Sequence, residues 1–160
     1  MIGVQYMSID RAREYLKKWH KDREIQEFEV SSATVALAAR ALNTDEARIA
    51  KSLSFKIDNR GVLIVVAGDM KIDNRKFKDE FNCKAVMLSP GEVEELIGHA
   101  IGGVCPFGIN EDVDVYLDIS LKRFDTVYPA CGSPNSAIEL SCEELEEIAR
   151  PGKWVDVCKA

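Results

Sequence analysis

One lysine and two stretches of small residues are the places where this sequence could do chemistry. Residues 96–110 form the longest run without a formal charge, yet they hold Gly98, Gly102, Gly103, Pro106 and Gly108. That composition excludes an ordinary core helix or strand and makes the run a shaped loop. Glycine permits positive φ and close approach of the backbone to another molecule, and proline stiffens the turn. A tight buried corner that needs glycine for steric reasons fits the same composition equally well. The second stretch, Ala130-Cys131-Gly132-Ser133-Pro134-Asn135-Ser136, reads as a turn between strands, or as a pocket wall whose small side chains leave room for a ligand. Lys51 stands where a helical turn gives way to a strand pair. An ammonium there could meet a phosphate or a developing negative charge, although an exposed strand-end lysine is the commoner reading.

Cys105 and His99 are a nucleophile and a base by type, but nothing in the sequence brings them together and no third, orienting group is evident. His99 reads equally as a satisfied loop histidine. Asp112 and Asp114 read as turn and strand-edge residues before metal ligands. Five cysteines without a C-x-x-C pair, and only two histidines, point to neither a disulfide framework nor a zinc site. P-loop, dinucleotide, H-E-x-x-H and G-x-S-x-G signatures are absent, so no metal and no cofactor is expected.

The composition is that of one globular domain over residues 1–160. The opening residues carry no apolar run of the signal-peptide kind, and the most apolar run, 62–67, is too short to span a bilayer. A soluble, cytoplasmic protein with reduced thiols and no membrane association is the expectation. The formal net charge of −6 opposes broad nucleic-acid binding, and with no basic recognition helix a DNA-binding role is disfavoured. Any RNA contact must be local. Lys17, Lys18, Lys21 and Arg23 could supply it, or Lys71, Arg75, Lys76 and Lys78, although either set alone reads first as a solvated helix face.

The elements that must position these residues follow from periodicity and capping. Residues 8–20 have helical spacing of Ile9, Ala12, Leu16 and Trp19, with Ser8 as the cap. A helix over 35–42 and a capped turn over 45–49 come next. Residues 51–57 and 62–67 then read as strands joined across 58–61. Further on come a helix over 73–81, a strand over 84–88 and a capping box at Ser89-Pro90-Gly91-Glu92, which opens a helix ending near Gly98. Strands over 113–119, 126–131 and 137–140 follow, then a second capping box at 141–144 with a helix to Ala149 and a strand over 154–157. Helices and strands mix without regular βαβ alternation, which predicts an α+β fold with a mixed, largely antiparallel sheet.

Three segments in order resemble the YbaK/prolyl-tRNA editing family, also called the aminoacyl-tRNA deacylase family. They are Ala47-Arg48-Ile49-Ala50-Lys51-Ser52-Leu53, Gly102-Gly103-Val104-Cys105-Pro106-Phe107-Gly108 and Ala130-Cys131-Gly132-Ser133, with Val65-Val66-Ala67-Gly68-Asp69 between the first two. The resemblance covers residues 27–148. It implies a curved or barrel-like sheet and hydrolysis, in trans, of the ester of a mischarged tRNA at its 3′ end. The family is found free-standing or as an insertion within prolyl-tRNA synthetase, and at 160 residues this chain is expected to be the free-standing kind; its acidic charge would make docking on prolyl-tRNA synthetase useful, since a partner could supply tRNA contacts. Lys51 matches the family's functional lysine, expected to hold the terminal phosphate or ribose. Gly102 to Pro106 match its G-x-x-x-P loop, whose amides would position the ester and stabilise an oxyanion. On the same match Gly103, Val104, Cys105 and His99 are expected around the substrate, and Gly132 and Ser133 on the opposing wall. Water, with help from the substrate's own groups, would replace a protein nucleophile. Cys105 departs from the serine or threonine of many relatives, which bears on which amino acid is accepted; alanine is the first choice, with cysteine and serine behind it. An aminoacyl or RNA-end binding module of the same fold, without catalysis, is the alternative.

Overall fold

The computed structural model describes residues 8–160. Helix α1 (Ser8–Leu16) runs into a tighter turn at Lys17–Trp19. Ala12 and Leu16 are fully buried, so the helical spacing read from the sequence is the spacing that packs. The expected Ser8 cap lies outside the described side chains. Strand β1 (Gln26–Glu27) precedes α2 (Val35–Leu42), whose first turn is capped by Thr34, its hydroxyl accepting the Leu37 amide at 3.2 Å.

Strands β2 (Ile49–Ile57) and β3 (Arg60–Ala67) pair antiparallel from Ala50↔Ala67 to Ile57↔Arg60. The connecting turn is only Asp58 and Asn59, both at positive φ (53° and 62°), the geometry that matches the natural twist of a hairpin. Arg60 and Gly61, expected in the turn, belong to the ladder. Strand β4 (Lys71–Ile72) leads into α3 (Asn74–Phe81), capped by Asp73. Residues 84–88 do not form a strand of their own. They fasten to the edge of β2 through Lys56 N to Val86 O (2.8 Å) and Leu88 N to Ser54 O (3.1 Å).

The capping box at Ser89 is present, and α4 (Pro90–Glu92) continues through a wider π turn at Val93–Ile97 to Gly98. The chain then gives β5 (Asp114–Asp118), β6 (Thr126–Pro129), β7 (Ser136–Ala137), β8 (Leu140–Ser141), α5 (Cys142–Ala149), β9 (Lys153–Val155) and β10 (Cys158–Lys159). The run expected as one strand over 137–140 is thus split between β7 and β8.

Six strands make a curled half-barrel sheet in the order β8-β6-β2-β3-β5-β9. Antiparallel pairing is concentrated in the β2–β3 hairpin, whereas β2–β6, β3–β5 and β5–β9 are parallel. Two ribbons, β1–β7 and β4–β10, stand beside it. Residues 62–67 of β3 are at most 4% exposed because both faces of the sheet are covered. Leu63, Val65 and Ala67 pack toward α1 and α5, and Val62, Ile64 and Val66 toward Phe55, Phe77 and Val157. A strand covered on both faces reads as a continuous apolar run, which is how this one appears in the sequence.

Candidate active site

The outer edge of β2 is paired at both ends and open in the middle. Ile49 and Ala50 pair with β6, and Ser54 and Lys56 take the 86–88 segment. Ladder alternation turns the backbone N–H and C=O of Ser52 toward the same edge, between the two paired stretches. A cavity of about 260 Å³ lies there, between the start of α2, the segment around Leu88, the loop residues Gly102 and Val104, and Ala130 and Ala137 of the far wall. Ser52 lines it, and its Oγ is one of two buried side-chain polar atoms without a hydrogen-bond partner among the described residues.

Lys51 also lines the cavity. Its Nζ reaches past the end of β3 and donates to the carbonyls of Gly68 (3.4 Å) and Met70. Gly68 is required where it stands, because a Cβ there would fall 2.1 Å from Glu46 O. The carbonyl that receives the ammonium is therefore fixed by backbone lying on backbone.

The glycine-rich loop is clasped at its neck. Arg11 Nη1 donates to Gly98 O (2.6 Å), Asn110 Nδ2 to Glu95 O (3.0 Å) and Leu96 O (3.1 Å), and His99 Nε2 to Phe107 O (2.7 Å). Gly102 and Val104 reach the cavity, and among the described residues their amides have no hydrogen-bond partner. Gly103 turns the other way and packs on the far wall, where an added Cβ would sit 2.5 Å from both Gly132 C and Ser133 N. Pro106 and Gly132 are buried and do not line the cavity. The Ser133 hydroxyl stays inside its own turn, 2.7 Å from Ser136 Oγ and 2.9 Å from Asn135 Oδ1. The groups from this segment that line the cavity are Ala130, Ser136 and Ala137. The pocket-wall reading of residues 130–136 thus holds for Ala130 and Ser136, whereas sequence reasoning missed Ala137, Thr34, Ala38 and Tyr128, which carry no motif of their own.

The structure brings His99 and Cys105 together, with Sγ 3.5 Å from Nε2. The arrangement opposes a thiol mechanism. A carbonyl only accepts, so the bond to Phe107 O puts the proton on Nε2, the nitrogen nearest the thiol, and leaves no free lone pair there to take another. Burial pushes the Cys105 thiol up to about 12, and both residues are at most 1% exposed. Burial likewise pushes the His99 imidazole down to about 4, with the Arg11 charge adding to the effect. His99 is thus a neutral clasp of the loop, its Nδ1 the second buried atom without a partner among the described residues.

That depression has a measurable consequence. The unfolded chain binds a proton near pH 6.5 and the folded one only near 4, so stability is complete above 6.5 and falls as pH drops through this window. The loss is on the order of 3 kcal/mol. Urea titrations at several pH values should show the slope, and His99→Gln should flatten it; an equal slope in the variant would assign it to other groups.

No helix among the described residues is long and apolar enough to cross a membrane. Residues 29–148 match the model of the aminoacyl-tRNA editing domain. YwhH of Bacillus subtilis (strain 168), an uncharacterized protein, is 54% identical over 154 residues, covering 96% of this chain and 98% of its own. Proline–tRNA ligase of Geobacillus sp. (strain WCH70) is 32% identical over 101 residues, which are 62% of this chain and 18% of the ligase. Among solved structures, a candidate trans-editing enzyme for prolyl tRNA synthetase superposes with a TM-score of 0.85 at 28% identity, covering 96% of this chain and 98% of its own. The matched span holds Lys51, the clasped loop and the small-residue wall together, and with it the chain belongs to the aminoacyl-tRNA editing domain family.

Proposed function

We propose that residues 1–160 act as one domain, a trans-editing deacylase that hydrolyses the ester of tRNA for proline carrying alanine or, less readily, cysteine or serine. The observation that carries this reading is the cavity itself. Lys51, the small side chains of the far wall, and Gly102 and Val104, whose amides have no partner among the described residues, all line one space of about 260 Å³. Such a space accepts a small aminoacyl group and discriminates by fit.

In the reaction, water attacks the ester carbonyl and the electron pair moves onto the carbonyl oxygen. The amides of Gly102 and Val104 supply donors for that oxyanion. The intermediate collapses, the C–O bond to the ribose breaks, and the proton given up by the attacking water passes to the leaving ribose oxygen, directly or relayed through the neighbouring hydroxyl. Lys51 holds the terminal phosphate or ribose by charge and does not act as a base. Cys105 and His99 shape the loop from behind. Substrate delivery would be aided by docking on prolyl-tRNA synthetase in the cytoplasm.

The test is hydrolysis of alanyl-, cysteinyl-, seryl- and prolyl-tRNA for proline. Release of alanine at least ten times faster than proline is expected. A folded protein that hydrolyses none of the four would overturn the deacylase in favour of a binding module.

A further inference from the structure

The two lysine-bearing segments of the chain are used differently. Lys17 and Lys21 pair with Glu14 (3.0 Å) and Glu144 (2.6 Å), and Lys18 lies 5.0 Å from the centre of the Tyr15 ring. In the second segment Lys76 is likewise engaged, by Asp156 (3.1 Å) and Cys158 O (3.0 Å). Lys71 is not: among the described residues it has no ion pair, nor has Arg75 four positions on. The β4–β10 ribbon then places Lys159 directly opposite Lys71, again without an ion pair among the described residues.

Like charges opposite each other on two strands repel, and both of these lysines are exposed. The carboxylates nearby relieve them only in part: the Asp73 carboxyl is held low chiefly by the Lys76 amide and also by the Lys159 charge, yet among the described residues it makes no ion pair with Lys71 or Lys159. Asp73 is turned to the Arg75 and Lys76 amides at the start of α3, Asp156 holds Lys76, and Asp69 is held by Arg123 at 2.7 Å. The ribbon begins one residue after Met70, whose carbonyl receives the Lys51 ammonium. A line of positive charge therefore leads from the cavity to Lys71 and Lys159, on a chain whose net charge is −6.

We propose that this ribbon is the docking strip for the sugar–phosphate backbone of the substrate's single-stranded 3′ end. Lys71 and Lys159 each neutralise one phosphate while the terminal aminoacyl ester lies in the cavity. The proposal rests on the deacylase reading for the identity of the RNA, but not on hydrolysis. It assigns the strip by unbalanced charge and by continuity with Lys51, and it places the N-terminal lysines outside the contact.

Binding of an uncharged RNA hairpin bearing a tRNA 3′ end, followed by fluorescence anisotropy across a salt series, tests it. Lys71→Ala/Lys159→Ala should weaken binding about tenfold at 100 mM salt and lower the slope of log affinity against log salt by about 0.7 for each lysine removed. Lys17→Ala/Lys18→Ala should stay within twofold of wild type. Unchanged affinity and slope in the first variant, or an equal loss in the second, would overturn the strip. Wild type that binds the hairpin through the ribbon yet hydrolyses no ester would uphold the strip and remove the deacylase reading.

Discussion

Lys51→Met is expected to lower kcat/KM for alanyl-tRNA about 100-fold while the thermal midpoint moves by only a few degrees. Methionine retains the length of the stem on the sheet face it shares with Leu53 and Phe55, so packing is largely kept. What is lost is one ammonium anchored on Gly68 O and Met70 O. Those carbonyls are only part-buried and can return to water, which holds the stability cost near 1 kcal/mol. The catalytic cost is larger, because removing one fixed electrostatic partner from a transition state is worth about 3 kcal/mol. Lys51→Arg should not restore the rate, since a planar fork cannot occupy the position of a compact point charge between two carbonyls. Steady-state rates beside a melting curve decide the matter; activity within threefold of wild type would remove Lys51 from the mechanism.

Gly103→Ala is expected to abolish measurable deacylation and to cost about 3 kcal/mol of stability. The added methyl would lie 2.5 Å from Gly132 C and Ser133 N, both backbone atoms with no rotamer to yield. Loop and far wall must then move apart, carrying the Gly102 and Val104 amides out of register with the cavity. Gly91→Ala is the matching control, since nothing lies within 4 Å of its Cβ and helix α4 gains a better former. Unfolding curves and rates for the pair separate a local clash from a general intolerance of glycine replacement. A Gly103→Ala protein with full activity would mean that the loop and the wall are not held against each other during turnover.

Much of the fold was legible because local signals agreed with burial. The apolar run of β3, the two serine capping boxes and the hairpin all appear where periodicity and capping put them. Errors fell where pairing is short or depends on distant chain. Strands β1, β4, β7 and β10 have two residues each, too few to show a period, and Val86 and Leu88 are held by β2 rather than by any pattern of their own. The site followed the same rule. Lys51 and the glycine loop could be found by residue type and order. The open edge at Ser52 could not, because it is defined by where β6 and residues 86–88 stop pairing. His99 and Cys105 show the reverse case: the residue types suggest a dyad, and only the direction of the bond to Phe107 O reveals a clasp.

The parallel junctions of the sheet govern when the pocket comes into being. Leu63 meets Val115, Ile49 meets Tyr128 and Leu117 meets Trp154, each across a long crossover, so the closing contacts are distant in sequence and slow to form. Lys51, Gly102 and Ala137 come from three separate parts of the chain and share a space only after those crossovers close. A chain emerging during synthesis consequently holds no half-built pocket: the cavity arrives with the completed fold.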